Sequence, residues 1–454
     1  MINAALPADP PAPWPDQTPG LPRLARIDDS VPAALHAVAP PSPWPAPTRL
    51  DQIARTVVMR LLGAVVGGRV AIDDWVGHGQ FGIWATDADA RPPLGATIRV
   101  HHPRTYGRIL REGSVGLGES FAEGWWDTDD LAVTLRLLNR AVRRADPYRR
   151  SVGRLAGPVT DRMRALRPAS AERDRHNIHA HYDLGNDFFA ALLDETMAYS
   201  CGVFRSPDTT LEASSVEKFD RLCAMVGLHA GQHLLEIGTG WGGFAVHAAR
   251  HYGCHVTTTT ISEEQYRYAV QRVHDEGLAD RITVLPSHYR DLDGRFDAIV
   301  AVEMIEAVDW REYDTFFASC RRLLAPTGRL ALQAIVIPHR RFDVAKRKND
   351  FIRRVIFPGG CLPSIEALAT SASRAADLRL VQLDDIGVHY AETLRRWDEN
   401  LDAMNDDIPS VGRDEQFRRL WRFYLAYCEA GFDEREISVV QVAFAGAGWH
   451  PGLA

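Results

Sequence analysis

From Gly231 onward, short apolar runs alternate with longer amphipathic stretches, the pattern of strands buried on both faces and separated by helices. The runs predict strands at 232–237, 255–260, 281–285, 296–302, 328–336, 378–386 and 436–445. Such alternation builds a doubly wound α/β sheet with ligands at the carboxyl ends of its strands. The first run, Leu234, Leu235 and Ile237, leads into Gly238, Gly240, Gly242 and Gly243, where the backbone can turn tightly and approach a ligand before a helix begins near Phe244. Cofactor chemistry is expected beside Gly238, Ile261, Tyr289 and the segment Val302 to Glu306.

Upstream, residues 49–145 carry a different, mixed pattern. Asp51 to Val66 reads as an amphipathic helix, Val70 to Ile83 and Thr97 to His101 as strands, and Leu131 to Val142 as a helix, with Gly113, Gly116 and Gly118 between them. Nothing there has catalytic spacing, so this is expected to be a small α+β accessory domain. Residues 1–48 hold 13 of the 27 prolines and are expected to form a flexible tail. Residues 146–175 are expected to be a basic linker, and 176–454 the alternating domain.

A chain of 454 residues, 46% hydrophobic, can bury a large core. Its net charge of −7 gives no global electrostatic case for nucleic acid, and no recognition module is present. Two basic runs depart from that balance: Arg136 to Arg175 holds 12 arginines against four acids, and His339 to Arg354 holds seven basic residues against two aspartates. Either run suits a solvated face; together they favour an anionic lipid surface. Six cysteines without CxxC spacing suit free thiols in a reducing cytoplasm. No basic patch precedes an apolar run at the N-terminus, so no signal peptide is expected, and Thr56 to Gly68 is too short to span a bilayer. Membrane contact is expected to be peripheral.

Gly238, Gly240 and Gly243 satisfy the dinucleotide pattern G-x-G-x-x-G. A dinucleotide site also needs an acid near the end of the next strand for the ribose hydroxyl. That strand instead runs through Thr257 to Thr260, and the first acids, Glu263 and Glu264, fall in the following helix. Glu236, two residues before Gly238, gives E-x-G-x-G-x-G, the first-strand motif of S-adenosylmethionine methyltransferases. That reading is preferred to a nicotinamide or flavin site.

Further blocks carry a closer resemblance. They include His181 to Phe189, Met197 to Phe204, Glu236 to Gly243, Ile261 to Gln265, Glu303-Met-Ile-Glu-Ala307, Phe351 to Ser364, His389 to Leu394 and Phe423 to Glu429. In this order they resemble the cyclopropane fatty acid synthases, including the mycolic acid cyclopropane synthases. Gly118, Glu119 and Trp125 look like part of the N-terminal domain of longer members. The resemblance implies a seven-stranded class I methyltransferase (Rossmann-like) domain after a small α+β domain. It implies an S-adenosylmethionine site formed by Tyr199, Ser200, Glu236, Gly238, Gly240, Gly242, Ile261, Gln265, Tyr289 and Val302. It also implies a bicarbonate ion held by Cys201, Glu306 and Tyr390, with Gln333 where the best-known members have a histidine. The expected partners are unsaturated phospholipid acyl chains at the anionic inner membrane face, with a homodimer as the candidate assembly and no nucleic acid.

Such chemistry needs that set because a neutral alkene must be held in line against a sulfonium methyl. Transfer leaves a carbocation, and ring closure then requires a base and the exclusion of water. Gln333 can donate to an anion but cannot carry a proton, and Ala307 stands where members have another histidine. Methyl transfer is therefore expected, with a cyclopropane or, by proton loss elsewhere, a methylene- or methyl-branched chain as product. Two competing readings are a small-molecule N- or O-methyltransferase using Glu303, Glu306 and His389, and a lipid-surface protein without catalysis. His176, His179 and His181 suggest a metal but lack an evident acidic or cysteine partner.

Overall fold

A computed structural model describes residues 44–84, 93–144, 185–404 and 414–450. The expected tail lies outside these residues except for its last few positions, and the linker at 146–175 and the three histidines lie outside them altogether.

The seven predicted strands are all present, as β5 His233–Ile237, β6 His255–Thr259, β7 Ile282–Leu285, β8 Phe296–Val302, β9 Leu324–Val336, β10 Arg379–Asp385 and β11 Ser438–Ala445. They form one sheet in the order β10-β11-β9-β8-β5-β6-β7. β5 to β9 run parallel, and β11 lies antiparallel between β9 and β10. The chain leaves β5 toward β6 and β7 and then returns to β8 on the other side of β5. The connections after β5 and β8 therefore diverge and open a crevice at their carboxyl ends.

One face is covered by the helices Leu211–Val226 and Gly243–Tyr252, which bury Leu222, Phe244 and Ala248 against β5 and β8. The other face is covered by the helices Tyr313–Leu323 and Ile365–Ala376, with Phe316, Phe317, Leu368 and Phe444 at its centre. Helix Leu211–Val226 starts at a Thr210 cap and ends at Gly227, whose φ of 61° suits a residue without Cβ.

The N-terminal region forms a four-stranded sheet in the order β2-β1-β3-β4, from β1 Gly68–Asp74, β2 Gly77–Phe81, β3 Leu94–Val100 and β4 Trp126–Thr128. Two expectations change here. The first helix spans Arg49–Leu62 because Thr48 and Asp51 form a capping box that starts it early, and it gives way at Gly63. The run Val70 to Ile83 is a hairpin, broken by a turn in which the Asp74 carboxylate accepts the Val76 N–H.

This sheet shares a core with helix Glu415–Asp433. Phe121 and Trp126 pack on Phe423, and Arg419 donates to the carbonyls of Phe121 and Trp126 and to Asp127. A Cβ on Gly118 would stand 2.6 Å from Phe351 and 2.7 Å from Phe423, so only glycine lets that helix approach so closely. Trp44–Ala454 makes one compact unit.

Candidate active site

The glycine turn leaves β5 with Gly238 at φ 100°, Gly240 at φ 51° and Gly242 at φ 84°. The N–H groups of Gly238 and Thr239 donate to Thr259 O at 3.0 and 3.1 Å, fixing the turn to the end of β6. A Cβ on Gly243 would lie 2.1 Å from Thr196 O, so the segment carrying Tyr199 and Ser200 rests directly on the turn. Arg272 holds the same segment through Thr196 O and Glu195 O. Ser262 caps the next helix by accepting the Gln265 N–H, and Thr260 Oγ1 donates to Gln265 Oε1 at 3.1 Å.

Around this turn lies a cavity of about 2080 Å³ lined by Tyr199, Ser200, Glu236, Gly238, Gly240, Ile261, Gln265, Tyr289 and Val302. Gly242 stands apart as the N-cap of helix Gly243–Tyr252 and shapes the turn from behind. Glu236 is fully buried, its Oε2 has no hydrogen-bond partner, and burial pushes its carboxyl up to about 8. An orphaned buried carboxyl oxygen beside a glycine turn suits the polar groups of a nucleoside-bearing cofactor, so these residues fit S-adenosylmethionine.

At the end of β8, Glu303 adopts a φ of 46°, a strained value for a residue with a side chain. That turn aims its carboxylate into a set of donors. Oε1 accepts the Cys201 N–H at 2.9 Å and Gln333 Nε2 at 2.8 Å, and Oε2 accepts the Tyr390 hydroxyl at 2.8 Å. Burial leaves the Glu303 carboxyl above the usual carboxylate range, and these donors with the Lys218 ammonium offset only part of that rise. Lys218 is itself fully buried and donates to Ser200 O and Oγ at 3.3 and 2.7 Å.

Three residues expected to hold a bicarbonate, Cys201, Tyr390 and Gln333, thus converge on one point, where they meet a carboxylate of the chain. Their donors are engaged, so they do not fit a second anion in that place. Cys201 contributes its backbone N–H, while its buried thiol lies 3.2 Å from Gly202 O and is pushed up by burial. Neither Cys201 nor Gln333 lines the cavity; both stand behind Glu303. Glu306, the fourth, lines the cavity, accepts the Ile335 N–H through Oε1 and leaves a buried Oε2 without a hydrogen-bond partner. Burial, then the neighbouring Glu303 charge, pushes its carboxyl up to about 8.

Glu303 was legible as part of the Glu-Met-Ile-Glu block, but its place at the centre was missed. Lys218 was missed too, although it stands with Ser214, Ser215 and Leu222 on the buried stripe of its helix, where a lysine is out of place. His389 does not line the cavity, so the set Glu303, Glu306 and His389 is not brought together there. Among the described residues no cluster could hold a metal, and no helix is long and apolar enough to cross a membrane.

Beyond the carboxylates the cavity turns apolar. Tyr199, Phe357, Tyr390, Tyr424 and Phe432 wall it, and it runs on between Ile335, Ile337 and Ile352 and the N-terminal residues Leu62, Ile72, Ile98, Leu117, Leu135 and Leu138. At its rim Leu61, Leu110, Val142 and Val344 are exposed beside Arg340 and Lys348. Parts of the basic runs are paired within the fold: Arg136 and Arg140 with Glu434, Arg143 and Arg341 with Glu436, and Lys346 with Asp343.

A doubly wound seven-stranded sheet whose first strand delivers a glycine turn and a buried glutamate to such a cavity defines a class I S-adenosylmethionine-dependent methyltransferase. The family model for mycolic acid cyclopropane synthetase matches residues 169–442. The chain belongs to that family. It is 41% identical to the tuberculostearic acid methyltransferase UfaA1 of Mycobacterium tuberculosis, across 78% of this chain and 84% of that protein. It is 36% identical to the cyclopropane-fatty-acyl-phospholipid synthase of Escherichia coli, across 77% and 88%. Among solved structures, mycolic acid cyclopropane synthase CmaA1 in complex with SAH and CTAB matches at a TM-score of 0.55 and 30% identity, across 62% of this chain and 99% of that one.

Proposed function

We propose that this enzyme transfers a methyl group from S-adenosylmethionine to a double-bond carbon in an unsaturated fatty acyl chain of a phospholipid, and that Glu303 accepts the proton then released. The observation that carries this reading is the Glu303 carboxylate, held by three donors where the glycine turn meets the apolar cavity. When bound, S-adenosylmethionine supplies an electrophilic methyl group.

The chain's residues do the rest. The apolar walls hold the alkene and keep water from capturing the carbocation. Aromatic faces at Tyr199, Phe357 and Tyr424 stabilise that cation by roughly 0.5 to 2 kcal/mol. Glu303, its carboxyl raised by burial and its anionic form favoured by Cys201 N–H, Gln333, Tyr390 and Lys218, takes the proton. If the proton leaves the new methyl group as the ring closes, the product is a cyclopropane.

A second product is favoured by one feature. Gln333, unable to carry a proton, leaves a single base, and a hydride shift before proton loss gives a methylene branch of the same mass. The similarity to a tuberculostearic acid methyltransferase supports this outcome.

We place the reaction at an anionic membrane surface, on the cytoplasmic side. The exposed apolar and basic residues at the cavity rim support this, each basic group near such a surface adding on the order of 1 kcal/mol. The test is incubation with labelled S-adenosylmethionine and oleoyl phospholipid vesicles. Label is expected in the acyl chain, and proton NMR separates ring from vinylidene hydrogens. An unlabelled acyl chain overturns the reading.

A further inference from the structure

Behind Glu303 a row of side chains crosses the sheet from its surface to the site. Asp384 on β10 pairs in register with Gln441 on β11, and Gln441 pairs with Gln333 on β9. Both glutamines are fully buried. From the covering helix Leu211–Val226, Arg221 donates through Nε to Gln441 Oε1 at 3.3 Å and through a terminal nitrogen to Asp384 at 3.2 Å. Gln441 Nε2 donates to Lys218 O at 3.3 Å and to Gln333 Oε1 at 2.9 Å. Gln333 Nε2 donates to Cys201 O at 3.0 Å and to Glu303 Oε1 at 2.8 Å.

The direction of this chain is set by its ends. A guanidinium has no acceptor and a backbone carbonyl no donor, so Gln441 must turn its oxygen to Arg221 and its nitrogen to Lys218 O. With that nitrogen also facing Gln333, the second amide must present its oxygen to Gln441 and its nitrogen to Glu303. The orientation of both amides follows from their partners and does not depend on distinguishing oxygen from nitrogen in either. Every hydrogen on the two amide nitrogens is used, so reversing one amide strands several buried groups at once.

We infer that Gln441 and Arg221 are positioning residues for the proton acceptor: they lock the Gln333 amide with its donor toward Glu303 and so favour the anionic form of that carboxylate. Neither residue lines the cavity. The inference rests on the reading of Glu303 as the base. The charged or titratable groups facing Glu303 are Lys218, Glu306, Cys201, Tyr390 and Tyr424.

The experiment is the pH profile of kcat, at saturating S-adenosylmethionine and lipid, for Gln441→Met, Arg221→Met, Gln333→Met and the double variant Gln333→Met/Gln441→Met. A weaker donor set makes Glu303 easier to protonate, so the acid limb is expected to move up by about one pH unit in Gln441→Met. Arg221→Met is expected to move it the same way by less. In the Gln333→Met background, Gln441→Met is expected to add nothing, because the link it acts through is gone. Binding of S-adenosylhomocysteine by calorimetry is expected to stay within about twofold of the parent, because no cofactor contact changes. An unmoved acid limb in an active Gln441→Met or Arg221→Met overturns the inference, and so does an equal shift with and without Gln333. Should Gln441→Met fail to fold, Arg221→Met probes the same link from a partly exposed position, where a substitution is better tolerated. Glu303→Gln separates the two levels: if it keeps turnover, the base has been misassigned. If it is inactive while the Gln441 and Arg221 profiles match the parent, only the positioning role falls.

Discussion

Glu303 and Glu306 share one short segment after β8, and burial raises both carboxyls, yet their surroundings offset that rise to different degrees. Glu303 has three donors and a buried lysine nearby; Glu306 has only backbone donors and the Glu303 charge beside it. Glu303→Gln is therefore expected to lower kcat by at least about a hundredfold while S-adenosylhomocysteine binding, measured by calorimetry, persists. Glu306→Gln is expected to cost turnover less than a tenth of that factor, because glutamine resembles the protonated acid that Glu306 is near neutral pH. Its signature is in stability. The folded Glu306 carboxyl sits near 8 against its usual value of 4.5, so the unfolded chain releases this proton first as pH rises. Stability from this group is present below about 4.5 and is lost as pH climbs toward 8. The Tm of Glu306→Gln should accordingly gain on the parent between pH 5 and pH 8 by scanning calorimetry. The sequence identified the donors of this site by resemblance but missed their acceptor. Cys201, Gln333 and Tyr390 lie far apart in the chain, and their meeting at Glu303 depends on strand order and on a backbone angle that no local pattern encodes.

At the scale of elements, the glycine turn separates two kinds of glycine. Gly243→Ala places a methyl group 2.1 Å from Thr196 O and must push back the segment bearing Tyr199 and Ser200. A loss of at least about 2 kcal/mol is expected, with weakened S-adenosylhomocysteine binding by calorimetry. Gly240→Ala meets nothing within 4 Å and strains only a φ of 51°, so about 1 kcal/mol is expected. In the large sheet, β10 at the edge is exposed and was marked only by its Leu380-Val381 pair and the turns around it. The central strands, β5, β8, β9 and β11, were legible because they are largely buried and read as apolar runs between turn signals. The N-terminal hairpin was not, because β2 is Gly77-His-Gly-Gln-Phe81, with hardly an apolar residue to mark where one strand stops and the next begins.

Across the whole molecule, the cavity draws one wall from the N-terminal sheet and its helices and the other from the methyltransferase sheet. Leu138→Trp, filling the apolar end, is expected to lower turnover of long acyl chains at least about tenfold while leaving S-adenosylhomocysteine binding intact, as label incorporation and calorimetry would check. The sequence presented the N-terminal part as accessory, since residues that line a lipid slot are the same leucines and isoleucines that fill a core. The place of β11 has a consequence for synthesis. It leaves the ribosome after all its neighbours yet inserts between β9 and β10, so until it arrives β10 has no partner and Gln333 faces an empty channel. A message cut short before Ser438 would yield a chain that keeps its cofactor turn but lacks both a closed sheet and a working base.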